Sequence, residues 1–125
     1  MNGKKILVVD DAEDIRMLVR RLLVKKGYDV ICVNNGREAL DALESVEVLP
    51  DLIILDLMMP IMDGFEFRDQ QRSISRFSSI PVIVMTADSN VGKNVKRLDP
   101  KRLIPKPFDA LVLLAVVAEH VPCAS

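Results

Sequence analysis

Short apolar runs at residues 6–9, 30–33, 52–55 and 82–85 recur through the chain, each followed by a segment with a different hydrophobic period. A weaker pair, Leu103 and Ile104, closes the series. Three of the runs lack polar alternation, as strands covered on both faces do. Strands spaced by helices build a parallel sheet. Between the first two runs, Ile15, Leu18, Val19, Leu22 and Leu23 repeat at the spacing of one helix face, and Gly27 is placed to end that helix. Ala39, Leu40 and Leu43 mark a second helix after Gly36, stopped by Pro50. A third starts near Gly64, and a last one covers about residues 109–120. The stretch 88–102 holds Gly92, Asn94 and Asp99-Pro100 and offers only Val91, Val95 and Leu98 as a stripe, so the fourth helix is expected to be short or irregular. Five βα units with crossovers predict a doubly wound, five-stranded parallel α/β sheet with helices on both faces, a single domain over residues 1–125.

Composition removes several functions. Half the residues are hydrophobic and 28% are charged, which excludes a disordered tail or a fibrous repeat. The net charge of −1 gives no basic surplus for generic nucleic-acid binding. Cys32 and Cys123 have no CxxC partner and no neighbouring His, which argues against a disulfide framework or a zinc site. Cys32 reads as a buried thiol, and Cys123 as a mobile one near the end. Residues 1–5 lead directly into the first apolar run, so no signal peptide is expected, and the longest apolar stretch, residues 110–118, is too short to span a bilayer. A cytoplasmic location with no membrane contact is the expectation.

Ligands of doubly wound sheets collect beyond the carboxyl ends of the strands. There the first run ends in Asp10-Asp11, the third in Asp56 and the fourth in Thr86-Ala87, while Lys106-Pro107 follows the fifth. Three carboxylates at one edge repel unless a divalent cation sits among them. Oxygen donors without His or Cys favour Mg2+ or Mn2+ over zinc. A lysine and a hydroxyl alongside suit a phosphoryl group, whose charge spreads over its oxygens, and one carboxylate can serve as nucleophile. The set points to metal-assisted phosphoryl transfer to or from an aspartate. Singly, each residue is ordinary: Asp10 or Asp11 as a helix cap, Asp56 as a turn residue, Thr86 as a β-former, Lys106 as a solvated charge. Their joint placement carries the reading.

Val8-Val9-Asp10-Asp11, Leu55-Asp56-Leu57-Met58-Met59-Pro60-Ile61-Met62-Asp63-Gly64, Met85-Thr86-Ala87 and Lys106-Pro107-Phe108 resemble, in order and over nearly the whole chain, the response-regulator receiver domain of two-component signalling. The resemblance implies the flavodoxin-like strand order 2-1-3-4-5. It also implies that Asp56 accepts a phosphoryl group from a phosphohistidine on a histidine kinase or histidine phosphotransfer protein. Asp11 would ligate Mg2+ directly with Asp56 and the backbone carbonyl of Met58, while Asp10 would act on the metal through water. Thr86 and Lys106 would each bond a phosphoryl oxygen, and the backbone N–H groups of Met58 and Ala87 would complete the cradle. Pro60 and Gly64 would shape the loop after the third strand, and the Lys106–Pro107 bond would be cis.

The chain departs from the family in its distal half. Leu103 stands where receivers commonly carry Tyr or Phe; a leucine can fill the same apolar slot but lacks the aromatic's plane and hydroxyl. Arg68 and Gln71 occupy third-helix positions that the family gives to apolar side chains, so a shallower packing face is expected there. Lys93, Lys96, Arg97, Lys101 and Arg102 form a basic stretch, either a solvated loop or a docking patch for an acidic partner. The last helix is apolar all round from 110 to 118. It is expected either to pack more deeply than usual or to bury an outer face, including Val112 and Val116, against a partner or a second copy in a homodimer.

The expected function is a phospho-accepting signalling switch, not an enzyme with a separate substrate, that acts on a downstream protein through contacts. No output domain and no direct DNA binding are expected. An aspartate-nucleophile phosphatase of the haloacid-dehalogenase type would need D-x-D at the first strand and a cap domain. A nucleotide site would need a Gly-rich loop after a strand. The remaining alternative is a degenerate receiver used as a phosphorylation-independent binding or dimerisation module.

Overall fold

Each apolar run becomes a strand in the computed structural model, which describes residues 4–87 and 92–122. The strands are β1 (Lys5–Val9), β2 (Asp29–Val33), β3 (Leu52–Asp56), β4 (Val82–Thr86) and β5 (Arg102–Pro105). They alternate with α1 (Glu13–Lys25), α2 (Gly36–Ser45), α3 (Gly64–Ser73), α4 (Gly92–Arg97) and α5 (Ala110–His120). All pairings are parallel, in the order β2-β1-β3-β4-β5.

Side-chain alternation along the strands divides the core into two layers. Ile6, Val8, Leu52, Ile54, Ile83 and Met85 face α1 and α5, where Val19, Leu23, Leu113, Val116 and Val117 meet them. Leu7, Val9, Ile53, Leu55, Val82 and Val84 face α2, α3 and α4, packing on Leu40, Leu43, Phe67 and Val95. β3 and β4 are buried along their whole length, which explains their unbroken apolar sequence. Gly27 ends α1 as expected: at φ 94 its N–H bonds to the Val24 carbonyl (2.9 Å), and the Tyr28 N–H reaches Leu23 (3.2 Å).

Several expectations need correction. Pro50 does not stop α2, which ends at Ser45 where Val46 turns extended, and Leu49 then packs back on the core. Val116 is a core residue, not part of an outer face, and α5 exposes Leu111 and Val112 instead. The apolar sequence of α5 therefore reflects deep packing on one side and two solvent-facing large residues on the other. Leu103 is exposed and fills no apolar slot. Cys32 is half-buried, and burial pushes its thiol pKa up against the pull of Arg20 and Arg16. In the basic stretch, Arg102 pairs with Glu119 (3.0 Å) and Arg97 lies over the Phe65 ring (5.3 Å). Val91, Cys123 and the Lys93 side chain lie outside the described residues.

The largest correction concerns α3. Arg68 and Gln71 do not make its face shallower; both are buried, Gln71 completely. Gln71 Nε2 donates to the carbonyls of Phe77 (3.0 Å) and Ile80 (3.1 Å), and its Oε1 accepts from Arg68 Nη1 (2.8 Å). Arg68 Nε donates to the Leu98 carbonyl (2.9 Å) and Nη2 to that of Asp99 (3.3 Å). Arg72 Nη1 adds a bond to the Arg97 carbonyl (2.9 Å). Guanidinium groups thus satisfy carbonyls at the C-terminal end of α4, a helix too short to be stable alone.

Candidate functional site

The register brings the expected residues to one edge. Val9 pairs with Leu55, so Asp10 and Asp56 come next on adjacent strands, at the point where the strand order reverses between β1 and β3. Asp56 in turn pairs with Met85, and Thr86 with Pro105. The Lys106 N–H bonds to the Thr86 carbonyl (2.8 Å), extending the ladder by one rung. By strand alternation Asp10, Asp56 and Lys106 share the side of the sheet that faces α1 and α5. The Lys106–Pro107 peptide is cis, as the resemblance implied.

Lys106 Nζ lies 2.7 Å from Asp10 Oδ2 and 3.5 Å from Asp56 Oδ1. Asp10 Oδ1 accepts from the Ala12 N–H (2.9 Å), so both oxygens of this buried carboxylate are engaged. Neither Asp10 nor Asp11 caps α1: its N-cap is Ala12, without a side-chain bond. Asp11 is exposed and is the most accessible of the three carboxylates. Thr86 is buried at the end of β4, and Ala87 after it is exposed. Arg16 carries no motif that marks it, yet its Nη1 donates to the Asp10 carbonyl (2.7 Å) and ties α1 to the site.

Electrostatics distinguish Asp56 from its neighbours. Burial, and then the Asp10 carboxylate, push its pKa up to about 6, against the pull of Lys106 and the Met58 N–H that bonds to it. Burial pulls the Lys106 pKa down, but its hydrogen bond to Asp10 and the field of Asp56 outweigh this, and the net shift is upward. One oxygen from each of Asp10, Asp11 and Asp56 lies within 4.8 Å of the others. A hard divalent cation can touch all three, and it would relieve the repulsion that raises Asp56. The donor set fits Mg2+ or Mn2+.

The loop between β3 and α3 is held closely. Asp63 and Glu66 form a reciprocal cap, with Asp63 Oδ1 accepting from the Glu66 N–H (2.9 Å) and Glu66 Oε1 from the Asp63 N–H (3.2 Å). The Gly64 N–H bonds to the Leu57 carbonyl (2.9 Å), and a Cβ on Gly64 would stand 2.6 Å from the Asp56 carbonyl oxygen and 2.8 Å from Leu57 Cα. Both obstacles are backbone atoms. Gly64→Ala should therefore lower stability by about 2 kcal/mol and displace Asp56, visible in urea unfolding and in weakened Mg2+ binding. Unchanged stability would mean that the loop yields freely. Within the same loop Ile61 sits at φ 69, a left-handed conformation that costs a β-branched residue about 1–3 kcal/mol.

Comparison with known proteins agrees with this geometry. The family model described as response regulator receiver domain matches residues 6–118. Response regulator MprA of Mycolicibacterium vanbaalenii is 42% identical over 113 residues, covering 89% of this chain and 47% of MprA. The chain spans about half the length of the curated relatives it matches. Among solved structures, the chemotaxis response regulator CheY4 of Vibrio cholerae superposes with a TM-score of 0.84 at 32% identity, over 94% of this chain and 98% of CheY4. Response regulator TrrA of Thermotoga maritima, solved in complex with Mg2+–BeF, gives 0.82 at 31% identity, over 94% and 99%.

Proposed function

The chain belongs to the response regulator receiver domain family, and we propose that it acts as a phospho-accepting switch in which Asp56 is the acceptor. The observation that carries this is the convergence of Asp10, Asp11, Asp56 and Lys106 at the switch point of the sheet. An Asp56 oxygen attacks the phosphorus of a phosphohistidine on a histidine kinase or histidine phosphotransfer protein. The new O–P bond forms as the N–P bond breaks, and its electron pair returns to the imidazole, which leaves neutral because its other nitrogen holds a proton. Lys106 and the Thr86 hydroxyl each take a phosphoryl oxygen, and the N–H groups of Met58 and Ala87 hold the remaining charge. Asp10 keeps Lys106 aimed at the acceptor through its short ion pair. Held by Asp10, Asp11, Asp56 and the Met58 carbonyl, Mg2+ (or Mn2+) would screen these carboxylates and neutralise phosphoryl charge as it develops.

The chain then works as a switch, not as an enzyme turning over a separate substrate. It makes its own acyl phosphate, loses it slowly to water, and in the phosphorylated state binds a downstream protein differently. Phosphorylation biases a two-state equilibrium only through contacts made in one of the states. Among the described residues no helix is long and apolar enough to cross a membrane.

The test is intact-protein mass after incubation with Mg2+ and phosphoramidate, for wild type beside Asp56→Asn. One phosphate should add to the wild type and none to the variant. No addition to wild type would favour the degenerate receiver. Addition to both would place the nucleophile elsewhere.

A further inference from the structure

Arg16, on the first turn of α1, is half-buried and gives its guanidinium to a neutral acceptor, the Asp10 carbonyl, at 2.7 Å. A guanidinium binds a carboxylate more strongly, through two charge-assisted bonds. Asp10, Asp11 and Asp56 gather at this same edge, yet among the described residues Arg16 joins no ion pair. It holds the backbone and leaves the carboxylate oxygens to other partners. The bond completes the hold on Asp10. The Asp10 N–H donates to the Val33 carbonyl (3.2 Å), Oδ1 accepts from the Ala12 N–H (2.9 Å) and Oδ2 from Lys106 Nζ (2.7 Å). With Arg16 on the carbonyl, every polar group of that residue is engaged.

Asp11 is held quite differently. It is exposed, and among the described residues its carboxylate accepts no hydrogen bond. Where it stands therefore depends on the peptide that joins it to Asp10, and Arg16 fixes that peptide to a helix. No side chain at the N-cap of α1 shares this task. We propose that Arg16 is a positioning residue for the divalent cation: by holding the Asp10–Asp11 peptide, it keeps the Asp11 carboxylate where an ion between it and Asp56 can reach it. The inference rests on the receiver reading above and deepens it, naming a residue outside the acidic cluster on which cation binding depends. Charge and position predict opposite results for its removal. As a cation Arg16 repels Mg2+, so charge alone would make a neutral replacement bind the ion more tightly. As a clamp it preorganises a ligand, and its loss weakens binding.

The experiment measures Mg2+ binding by calorimetry for wild type, Arg16→Met, Asp11→Asn and the double variant, with urea unfolding to establish that each is folded. Arg16→Met keeps the stem and loses the donors; Arg16→Gln takes its place if the methionine variant does not fold. The Kd for Mg2+ should rise roughly tenfold in Arg16→Met. In the Asp11→Asn background the same change should move Kd by no more than about twofold, because the ligand it positions is already gone. The Mg2+ concentration that half-saturates phosphorylation by phosphoramidate should rise in step with Kd in Arg16→Met, while the rate at saturating Mg2+ falls much less. A neutral variant that binds Mg2+ as tightly as wild type, or more tightly, overturns the proposal. A loss as large in the Asp11→Asn background as in wild type also overturns it, since Arg16 would then act on something other than Asp11. Wild type that binds no Mg2+ overturns the metal site and, with it, the receiver reading itself.

Discussion

Without divalent ions, Asp56→Asn should be more stable than the wild type by about 1–3 kcal/mol at neutral pH. The wild type must hold Asp56 ionised in a buried position beside Asp10, and its pKa is accordingly pushed up to about 6 from the ordinary 3.8. The raised value sets the sign. Between about pH 4 and pH 6 the folded chain binds a proton at Asp56 that the unfolded chain has released, so stability is lost as pH rises through that window. Asparagine does not titrate and carries no such penalty. Urea unfolding in EDTA should therefore show the two proteins converging as the pH falls toward about 4, separating between about 4 and 6, and keeping a constant gap above that. Adding Mg2+ should stabilise the wild type, since binding to the folded state alone shifts the equilibrium, and should affect the variant far less. A variant no more stable than wild type at neutral pH in EDTA would show that Lys106 already neutralises the site. The same substitution would thus stabilise the fold and abolish phosphoryl uptake, the mark of a site built for chemistry at the expense of stability.

Gln71→Leu should destabilise the protein by about 3–5 kcal/mol although leucine is apolar and of similar volume. The side chain of Gln71 is completely buried, and its amide serves the Phe77 and Ile80 carbonyls and the Arg68 guanidinium. Leucine leaves the buried Ile80 carbonyl and an Arg68 N–H without that partner, each costing about 1–3 kcal/mol, and leaves the Phe77 carbonyl with only the Ile80 N–H. Arg68 would also lose the group that fixes it under the end of α4, so hydrogen exchange around Leu98 and Asp99 should rise most. A loss below about 1 kcal/mol in urea unfolding would mean that water enters and replaces the amide.

The strands and the site belonged to the part of the fold that sequence could reveal. A strand buried on both faces must be apolar throughout, and the polar residues that interrupt such runs at their carboxyl ends are conspicuous for that reason. Asp10, Asp56, Thr86 and Lys106 could be placed at one edge before any coordinate was known, because parallel pairing puts all carboxyl ends on the same side. The helices were less legible. Pro50 looked like the stop for α2 because proline breaks helices wherever it falls, yet the chain had already turned at Val46 to bring Leu49 to the core. Val116 and Val112 are equally apolar in sequence, and only the rotation of α5 on the sheet makes one of them core and the other surface.

Local pattern determined the element order, the parallel sheet and the row of carboxylates and lysine at its edge, since each depends on which residues water rejects and how the chain alternates. Tertiary structure decided which polar side chains are safe to bury. Arg68 and Gln71 read as a weakened helix face because their partners are backbone carbonyls of Leu98, Asp99, Phe77 and Ile80, and a carbonyl carries no sequence signature. The Arg16 bond to the Asp10 carbonyl escaped notice for the same reason, and so did the left-handed turn at Ile61. Hydrophobic period is written in side chains, whereas the bonds that make a buried polar group or a strained turn tolerable are made to the backbone and exist only once distant segments meet.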